Sequence, residues 1–236
     1  MRILLFAILF AAAGCASSQL APGKYSGDVK SSWSKDGRTM TLLEDFSYLD
    51  PRNRTWTAPS GSKVNGASIP QIAWSLIGGP LEGRYRDSSV IHDVGCEKRW
   101  ASWELVHQVF YEGMLTSGVE PWRAHVMFKA VYYFGPRWER VVQVAGIPNT
   151  QTPVARQRAL QDAADGSEAQ ILQVVPPYIQ GLPEQPATFT IRIIPPVSTM
   201  GVEDLRALAR ELEVKAKEGS PIPLPAELGL ARPDAR

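Results

Sequence analysis

The chain has 236 residues, of which 44% are hydrophobic and 21% are charged. Its 25 basic and 24 acidic side chains leave a formal net charge of +1. This balance argues against nucleic acid as a main partner, because phosphate binding needs a basic surface. The length is sufficient for one domain with a sizeable hydrophobic core and for additional segments beside it.

The N-terminus has the pattern of an export signal that ends at a cysteine. Arg2 supplies a short positive region, and the apolar run Ile3–Ala13 is too short to cross a bilayer as a helix. The small residues before Cys15 resemble the bacterial lipobox, in which the signal peptide is removed and the cysteine becomes a lipidated N-terminus. The resemblance implies a signal peptide over residues 1–14 and a membrane anchor of acyl chains, such as palmitate, on Cys15. The alternative is an ordinary secretory signal with an incidental cysteine.

The residues after Cys15 predict where the mature protein lies. Ala16 and Ser17 carry no acidic retention signal, so by resemblance to enterobacterial sorting we expect the lipoprotein in the outer membrane, facing the periplasm. Because lipid consumes Cys15, Cys96 is the remaining thiol and no intramolecular disulfide can form. In the oxidising cell envelope this favours a buried Cys96.

The predicted fold class is α+β, with a β-rich N-terminal part, a three-helix module, and a C-terminal extension that contains one strand and one helix. A tether over residues 15–24 leads into the main domain over residues 25–140. Within that domain, Lys35–Arg38 has the composition of a hairpin turn, and Thr55–Thr57 has that of a strand.

Three helices are predicted from capping residues and from the helical spacing of apolar side chains. They cover Asp87 or Ser88 to Lys98, Ser102 to Gly118, and Pro121 to Phe134. The apolar stripes on these helices indicate faces that pack into the core rather than a cofactor site.

The C-terminal extension over residues 141–218 is rich in proline. Within it, Thr188–Ile193 alternates between polar and apolar residues as a half-buried strand does. Residues 202–218 have the apolar stripe of an amphipathic helix. The Pro-rich residues 219–236 predict a disordered tail.

All three histidines lie in the helical module. His92 and Asp93 are adjacent, so their side chains diverge by about 100° on a helix and can serve two different partners. His107 is in register with the apolar residues Phe110 and Met114, so we expect it to point inward and to meet His92 across a helix pair. An imidazole held by a second polar group is the minimum equipment of a general base. A carboxylate beside it is the hard oxygen ligand that calcium takes.

Three segments are similar to the catalytic helices of prokaryotic secreted phospholipase A-two: Val90–Cys96, Val109–Met114 and Ala130–Gly135. The resemblance implies a calcium-assisted hydrolase of lipid esters with a phospholipid substrate, in which His92 activates water and Asp93 binds calcium. In that family an aspartate on the next helix orients the imidazole, and this position falls on His107 here. Glu104, one turn earlier on the same face, is the candidate replacement for that carboxylate. The calcium loop and the paired disulfides of the family are missing.

Five signatures resemble those of an uncharacterised domain family of phage and bacterial proteins: Trp56–Gly61, Asn65–Pro70, Trp74, Gly83–Tyr85 and His92-Asp93. That family usually has Asp where this chain has Asn65 and His107. The resemblance covers about residues 42–138 and implies a domain boundary more than an activity. If the fold is shared, the loop Asn65–Pro70 is expected to supply backbone carbonyls near Asp93.

Two other interpretations of these residues stay open. His92 and Cys96 are four residues apart on one helix and, with His107, offer a set of zinc ligands. Alternatively, the chain is a non-catalytic envelope lipoprotein, in which the helical module is a binding or structural part and the extension contacts an envelope protein partner. A hydrolase needs an open cleft at His92 and an Asp93 without internal partners. The structural interpretation predicts that both residues are buried and hydrogen-bonded.

Overall fold

The computed structural model describes residues 22–66, 68–71, 74, 81, 83–99, 101–142, 179–180, 189–195 and 200–228. The predicted signal peptide, the predicted lipidation site Cys15 and most of the tether lie outside the described residues. Within the described part the fold is α+β, as predicted. Antiparallel N-terminal strands precede three helices, and strands and a further helix follow on the C-terminal side.

Short strands make up the N-terminal part of the fold. They are β1 (Lys24–Tyr25), β2 (Ser31–Trp33), β3 (Met40–Leu42), β4 (Phe46–Leu49), β5 (Thr55–Ala58) and β6 (Lys63–Val64). One antiparallel sheet contains β1, β4 and β5 in that order, and another has the order β2-β3-β6. The predicted hairpin turn joins β2 to β3, where Gly37 has a φ of 67° that favours glycine. Tyr48 and Trp56 alternate with more exposed neighbours and are buried against the helices.

The three predicted helices are confirmed as α1 (Arg86–Lys98), α2 (Trp103–Thr116) and α3 (Pro121–Phe134). Ser102 caps α2 as predicted, because its hydroxyl oxygen accepts the N–H of Leu105 at 3.3 Å. The expected cap of α1 by Asp87 or Ser88 is wrong, since α1 follows directly on a 3-10 turn. Within the first turn of α1, the buried Ser88 hydroxyl instead donates to the carbonyl of Tyr85 at 2.8 Å.

Helices α1 and α2 approach each other closely because glycines lie at their contact. A Cβ built at Gly95 would lie 2.9 Å from a side-chain carbon of Val106, and one at Gly113 would lie 3.0 Å from the Cβ of Ser88. Real Cβ atoms essentially never show the first distance, and the second is tighter than nine in ten real Cβ contacts, so the absence of a side chain at these positions lets the helices approach this closely. Residues that face each other across this contact therefore lie within hydrogen-bonding range.

The C-terminal extension is built into the fold rather than attached loosely to a domain that ends at residue 140. It contributes β8 (Ile179–Gln180) and β9 (Phe189–Ile194), which follow β7 (Arg137–Val142), and the helix α4 (Val202–Lys217). Strand β8 adds to the first sheet beside β5, and β9 pairs with β7 along its whole length. The predicted amphipathic helix is confirmed, and its apolar face lies against α3 with Leu205 and Leu212 fully buried.

Residues 219–228 differ from the disordered tail that their composition predicts. The Nδ1 atom of His125 on α3 donates to the carbonyl of Pro223 at 2.9 Å, and both Lys129 and Tyr133 donate to the Glu227 carboxylate. The Pro-rich segment is held here because α3 offers it partly buried hydrogen-bond and ionic partners, which composition does not reveal. Residues 229–236 lie outside the described residues.

Two buried clusters make up the core. One joins the sheets to α1 and the early part of α2, and the other joins α2, α3 and α4. Across the part of the chain that the structure describes, no helix combines the length and the apolar character needed to cross a bilayer.

The attachment of α4 to α3 can be tested with Leu205→Ala. We expect the free energy of unfolding to fall by about 2–5 kcal/mol, because a fully buried leucine leaves a cavity. The matched control is Val214→Ala on the same helix, whose side chain is 52% exposed, with an expected change within about 0.5 kcal/mol. Urea unfolding followed by circular dichroism measures both. Equal losses for the two variants would contradict the packing of α4.

Candidate functional site

The structure brings His92 and His107 together, as their register on the helices predicts. His92 lies in the middle of α1 and His107 in the second turn of α2. The Nε2 atom of His92 and the Nδ1 atom of His107 are 2.9 Å apart, a hydrogen-bonding distance. One ring must donate and the other accept, so the two imidazoles share one proton between these atoms.

Aromatic side chains enclose the histidine pair. The Phe110 ring stacks on His92 with ring centroids 4.5 Å apart, and Trp103 meets His107 edge-on at 5.5 Å. His92 is 1% exposed and His107 is 0% exposed. Burial lowers the pKa of both histidines, and the Pro136 carbonyl offsets part of this effect for His107. Both rings are therefore neutral at neutral pH.

Among the described residues, no carboxylate orients His92, and its Nδ1 atom has no hydrogen-bond partner. The candidate replacement, Glu104, is exposed in the first turn of α2, whereas His107 is buried. Burial lowers the pKa of Arg137 and raises that of Tyr132; the negative charge of Glu104 offsets part of the first effect and adds to the second. The predicted role of Glu104 as an orienting carboxylate thus gains no support from its position.

Asp93 has internal partners on both carboxylate oxygens. Its Oδ2 atom accepts the backbone N–H groups of Asn65 at 3.0 Å and Gly66 at 2.6 Å, and its Oδ1 atom accepts that of Ser68 at 3.3 Å. Burial raises the pKa of Asp93, while these hydrogen bonds lower it and offset part of the rise. The carboxylate therefore anchors the loop to α1.

The loop thus presents N–H groups to Asp93, and the expectation of backbone carbonyls there is wrong. Gly66 has a φ of 70°, a left-handed conformation. Such a residue turns successive N–H groups toward one side of the chain and forms a concave site for an anion. The Asp93 carboxylate occupies that site and makes an ionic group part of the interior.

Cys96 is buried beside the histidine pair, as predicted. Its Sγ atom lies 3.6 Å from Nε2 of His92, one helical turn away on α1. Burial raises the pKa of the Cys96 thiol, so the sulfur is protonated in this environment. The two ring nitrogens and the sulfur all lie within 4.8 Å of one another.

Arg137 is a neighbour of the site that sequence patterns did not reveal. Its guanidinium lies 4.1 Å from the centroid of the Trp103 ring and donates to the carbonyl of Tyr132. It is buried, and its charge helps to lower the pKa of His107. In the sequence, Arg137 lies within the aromatic stretch from Tyr132 to Trp138. This pattern is equally consistent with an exposed arginine, so it did not predict burial.

A second buried polar network ties the first sheet to α2. Asp50 accepts Nε of Arg54 at 2.6 Å and Nε1 of Trp56 at 3.0 Å, while Arg52 donates to Glu112 on α2 at 2.6 Å. These contacts join the β4–β5 turn to the helix that carries His107. They support the site without reaching the histidine pair.

Residues 40–131 match the family model described as "Protein of unknown function (DUF1353)". This stretch is a DUF1353 domain. The DUF1353 domain begins at β3 and ends within α3, so it includes Asp93, Cys96 and the histidine pair. The second resemblance predicted an uncharacterised domain family in this region, and that part of it is confirmed.

Two proteins of Sinorhizobium fredii are similar to the same region. The chain is 48% identical over 97 residues to "Uncharacterized protein y4jT", an alignment that covers 41% of the chain and 29% of that protein. It is 40% identical over 107 residues to "Uncharacterized protein y4iH", and this alignment covers 45% of the chain and 45% of that protein. The chain thus spans less than half the length of these curated relatives. No solved structure matches the chain.

The anchoring role of Asp93 can be tested with Asp93→Asn. The amide keeps one acceptor oxygen but turns N–H donors toward backbone N–H groups, so we expect a loss of about 1–3 kcal/mol in the free energy of unfolding. Asp87→Asn makes the same chemical change on a half-buried residue of α1 and should cost less than half as much. Urea unfolding at neutral pH compares the two variants. A wild-type stability for Asp93→Asn would show that the loop does not depend on this carboxylate.

Proposed function

We propose that this protein is a lipid-anchored lipoprotein of the bacterial cell envelope, and that its DUF1353 domain is a non-catalytic binding or structural module. The observation that carries the non-catalytic role is the occupied carboxylate of Asp93, and the lipobox-like residues before Cys15 support the anchor. The residue that would hold the metal of a calcium-assisted hydrolase is already bound by three backbone N–H groups.

Calcium binding at Asp93 would have to overcome this arrangement. Calcium takes 6–8 oxygen ligands at about 2.3–2.6 Å. Asn65, Gly66 and Ser68 present N–H groups to the two carboxylate oxygens, and the positive ends of these groups repel a cation. A calcium ion would need the loop to turn over and offer its carbonyls instead.

The burial of His92 supports the same conclusion. A general base must come within hydrogen-bonding reach of the water or substrate that it deprotonates. The Nε2 atom of His92 is already engaged with His107, and Phe110 covers one face of its ring. Because burial lowers the pKa of both imidazoles, the pair is also a weak base.

The proposed anchor would hold the domain next to the membrane. Lys24 already belongs to β1, so the residues from Cys15 to Gly23 span at most roughly 30 Å when fully extended. Partners in reach of the domain would then be components of the same membrane or proteins close to its surface. We assign contact with an envelope protein partner to the C-terminal extension.

Cys15→Ser tests the anchor. Mass spectrometry of the wild-type protein isolated from bacterial membranes should show an N-terminal peptide that begins at an acylated Cys15. The variant should lose the acyl mass and leave the membrane fraction, because the thiol that carries the lipid is gone. Cys96→Ser is the control and should stay acylated. A wild-type protein with an unmodified Cys15 would refute the anchor.

A calcium titration tests the non-catalytic role. For the full-length chain in detergent, we expect calorimetry to show no saturable binding at millimolar calcium, where weak protein sites still fill. We also expect no calcium-dependent release of fatty acid from phosphatidylethanolamine–phosphatidylglycerol vesicles. Binding that Asp93→Asn abolishes and Asp87→Asn preserves, with release abolished in His92→Ala, would favour the lipid ester hydrolase instead.

A further inference from the structure

Three side chains with metal-binding atoms converge inside the protein, and the Asp93 carboxylate is not one of them. Helix α1 provides His92 and Cys96 from successive turns, and α2 provides His107. Their ligand atoms are Nε2, Sγ and Nδ1, and these lie within 4.8 Å of one another. We propose that these three residues bind one zinc ion, or an ion of similar preference, inside the DUF1353 domain. The inference does not depend on the proposed function, because zinc serves both structural and catalytic sites.

Two of the three distances between ligand atoms are close to those of a tetrahedral ion, and the third, from Sγ of Cys96 to Nδ1 of His107, is within 4.8 Å. Zinc lies about 2.0–2.1 Å from nitrogen and about 2.3 Å from sulfur, so nitrogen and sulfur ligands of one ion are about 3.6 Å apart. The observed distance from Nε2 of His92 to Sγ of Cys96 is 3.6 Å. Two nitrogen ligands are about 3.3 Å apart by the same geometry. The observed 2.9 Å between His92 and His107 would therefore open by about 0.4 Å as the ion takes the place of the shared proton. The ring that donated this proton then carries it on its other nitrogen, so both imidazoles stay neutral.

The ligand types select the class of ion. Imidazole suits zinc and other late first-row metals, thiolate favours the softer ones, and calcium and magnesium require oxygen. The set of two imidazoles and one thiol therefore predicts zinc, with cobalt as its spectroscopic substitute. Binding forms a metal–sulfur bond and releases the thiol proton of Cys96 to solvent. The three residues leave one tetrahedral position for water.

The surroundings already hold the ligand side chains in place. Phe110 stacks on His92, and Trp103 contacts His107, so neither ring is free to rotate. The Ser68 side chain interacts with both the Cys96 thiol and the Asp93 carboxylate. This links the sulfur to the loop that Asp93 anchors. Since the three ligands are buried, the ion would be taken up as the chain folds.

Cobalt binding by the full-length chain in detergent tests the site. The protein is unfolded with a chelator, freed of metal and refolded with Co²⁺. We expect one cobalt ion per chain, a cobalt–thiolate charge-transfer band, and the intense visible bands of a tetrahedral ion that Zn²⁺ then displaces. X-ray absorption of the zinc-loaded protein should show nitrogen ligands together with one sulfur ligand. A folded chain without stoichiometric metal, or without a sulfur ligand, would overturn the proposal.

Two variants assign the band to this site. Cys96→Ala removes the sulfur ligand, so it should abolish the charge-transfer band and weaken zinc binding by at least about tenfold. A loss of this size already follows when only a residue that orients a ligand is changed. Val94→Ala is the matched control, because it also shortens a buried side chain on α1 but removes no ligand, and the band should survive. A band that persists in Cys96→Ala would place the metal elsewhere and overturn the proposal. The X-ray absorption of the wild-type chain decides the question if Cys96→Ala does not fold.

Discussion

The close packing of α1 against α2 is the constraint on which the candidate site depends. Gly95 removes a side chain from the contact, where a Cβ would lie 2.9 Å from Val106. Because the helices approach this closely, His92 and His107 meet at 2.9 Å, and Cys96 lies beside them. The same packing excludes water from the two rings and keeps them neutral. One helix contact thus determines both the geometry of the cluster and its electrostatic state.

The buried charges near this contact act mainly as anchors. Asp93 fixes the loop after β6 through backbone N–H groups, and Arg137 is held between the Trp103 ring and the Tyr132 carbonyl. Arg52 and Glu112 join the β4–β5 turn to α2. A buried charge is tolerated when it is paired or hydrogen-bonded, and each of these charges connects segments that are distant in the sequence. The histidine pair is tolerated in the apolar core for a different reason, because its two rings are neutral and hydrogen-bonded to each other.

The described segments that follow the DUF1353 match pack against the matched region and form part of the same fold. The match ends at residue 131 within α3, yet β7 continues from that helix and α4 covers its apolar face. The ion pair of Lys129 with Glu227 then holds the following segment on α3. Apolar surface on α3 would be exposed without α4, so the C-terminal residues stabilise the domain by burying it. This gives the extension a structural role in addition to any contact with a partner.

The sequence by itself determined the local elements of the protein. Capping by Ser102, the stop at Gly118 and the leucine stripe of α4 depend on residues a few positions apart, and these predictions agree with the structure. The meeting of His92 with His107 also followed from helical register. Only the tertiary structure decided which backbone atoms face Asp93, because that depends on the dihedral angles of one loop. It likewise decided the burial of Arg137 and the order of residues 219–228, since the partners of those residues come from remote parts of the chain and periodicity carries no information about them.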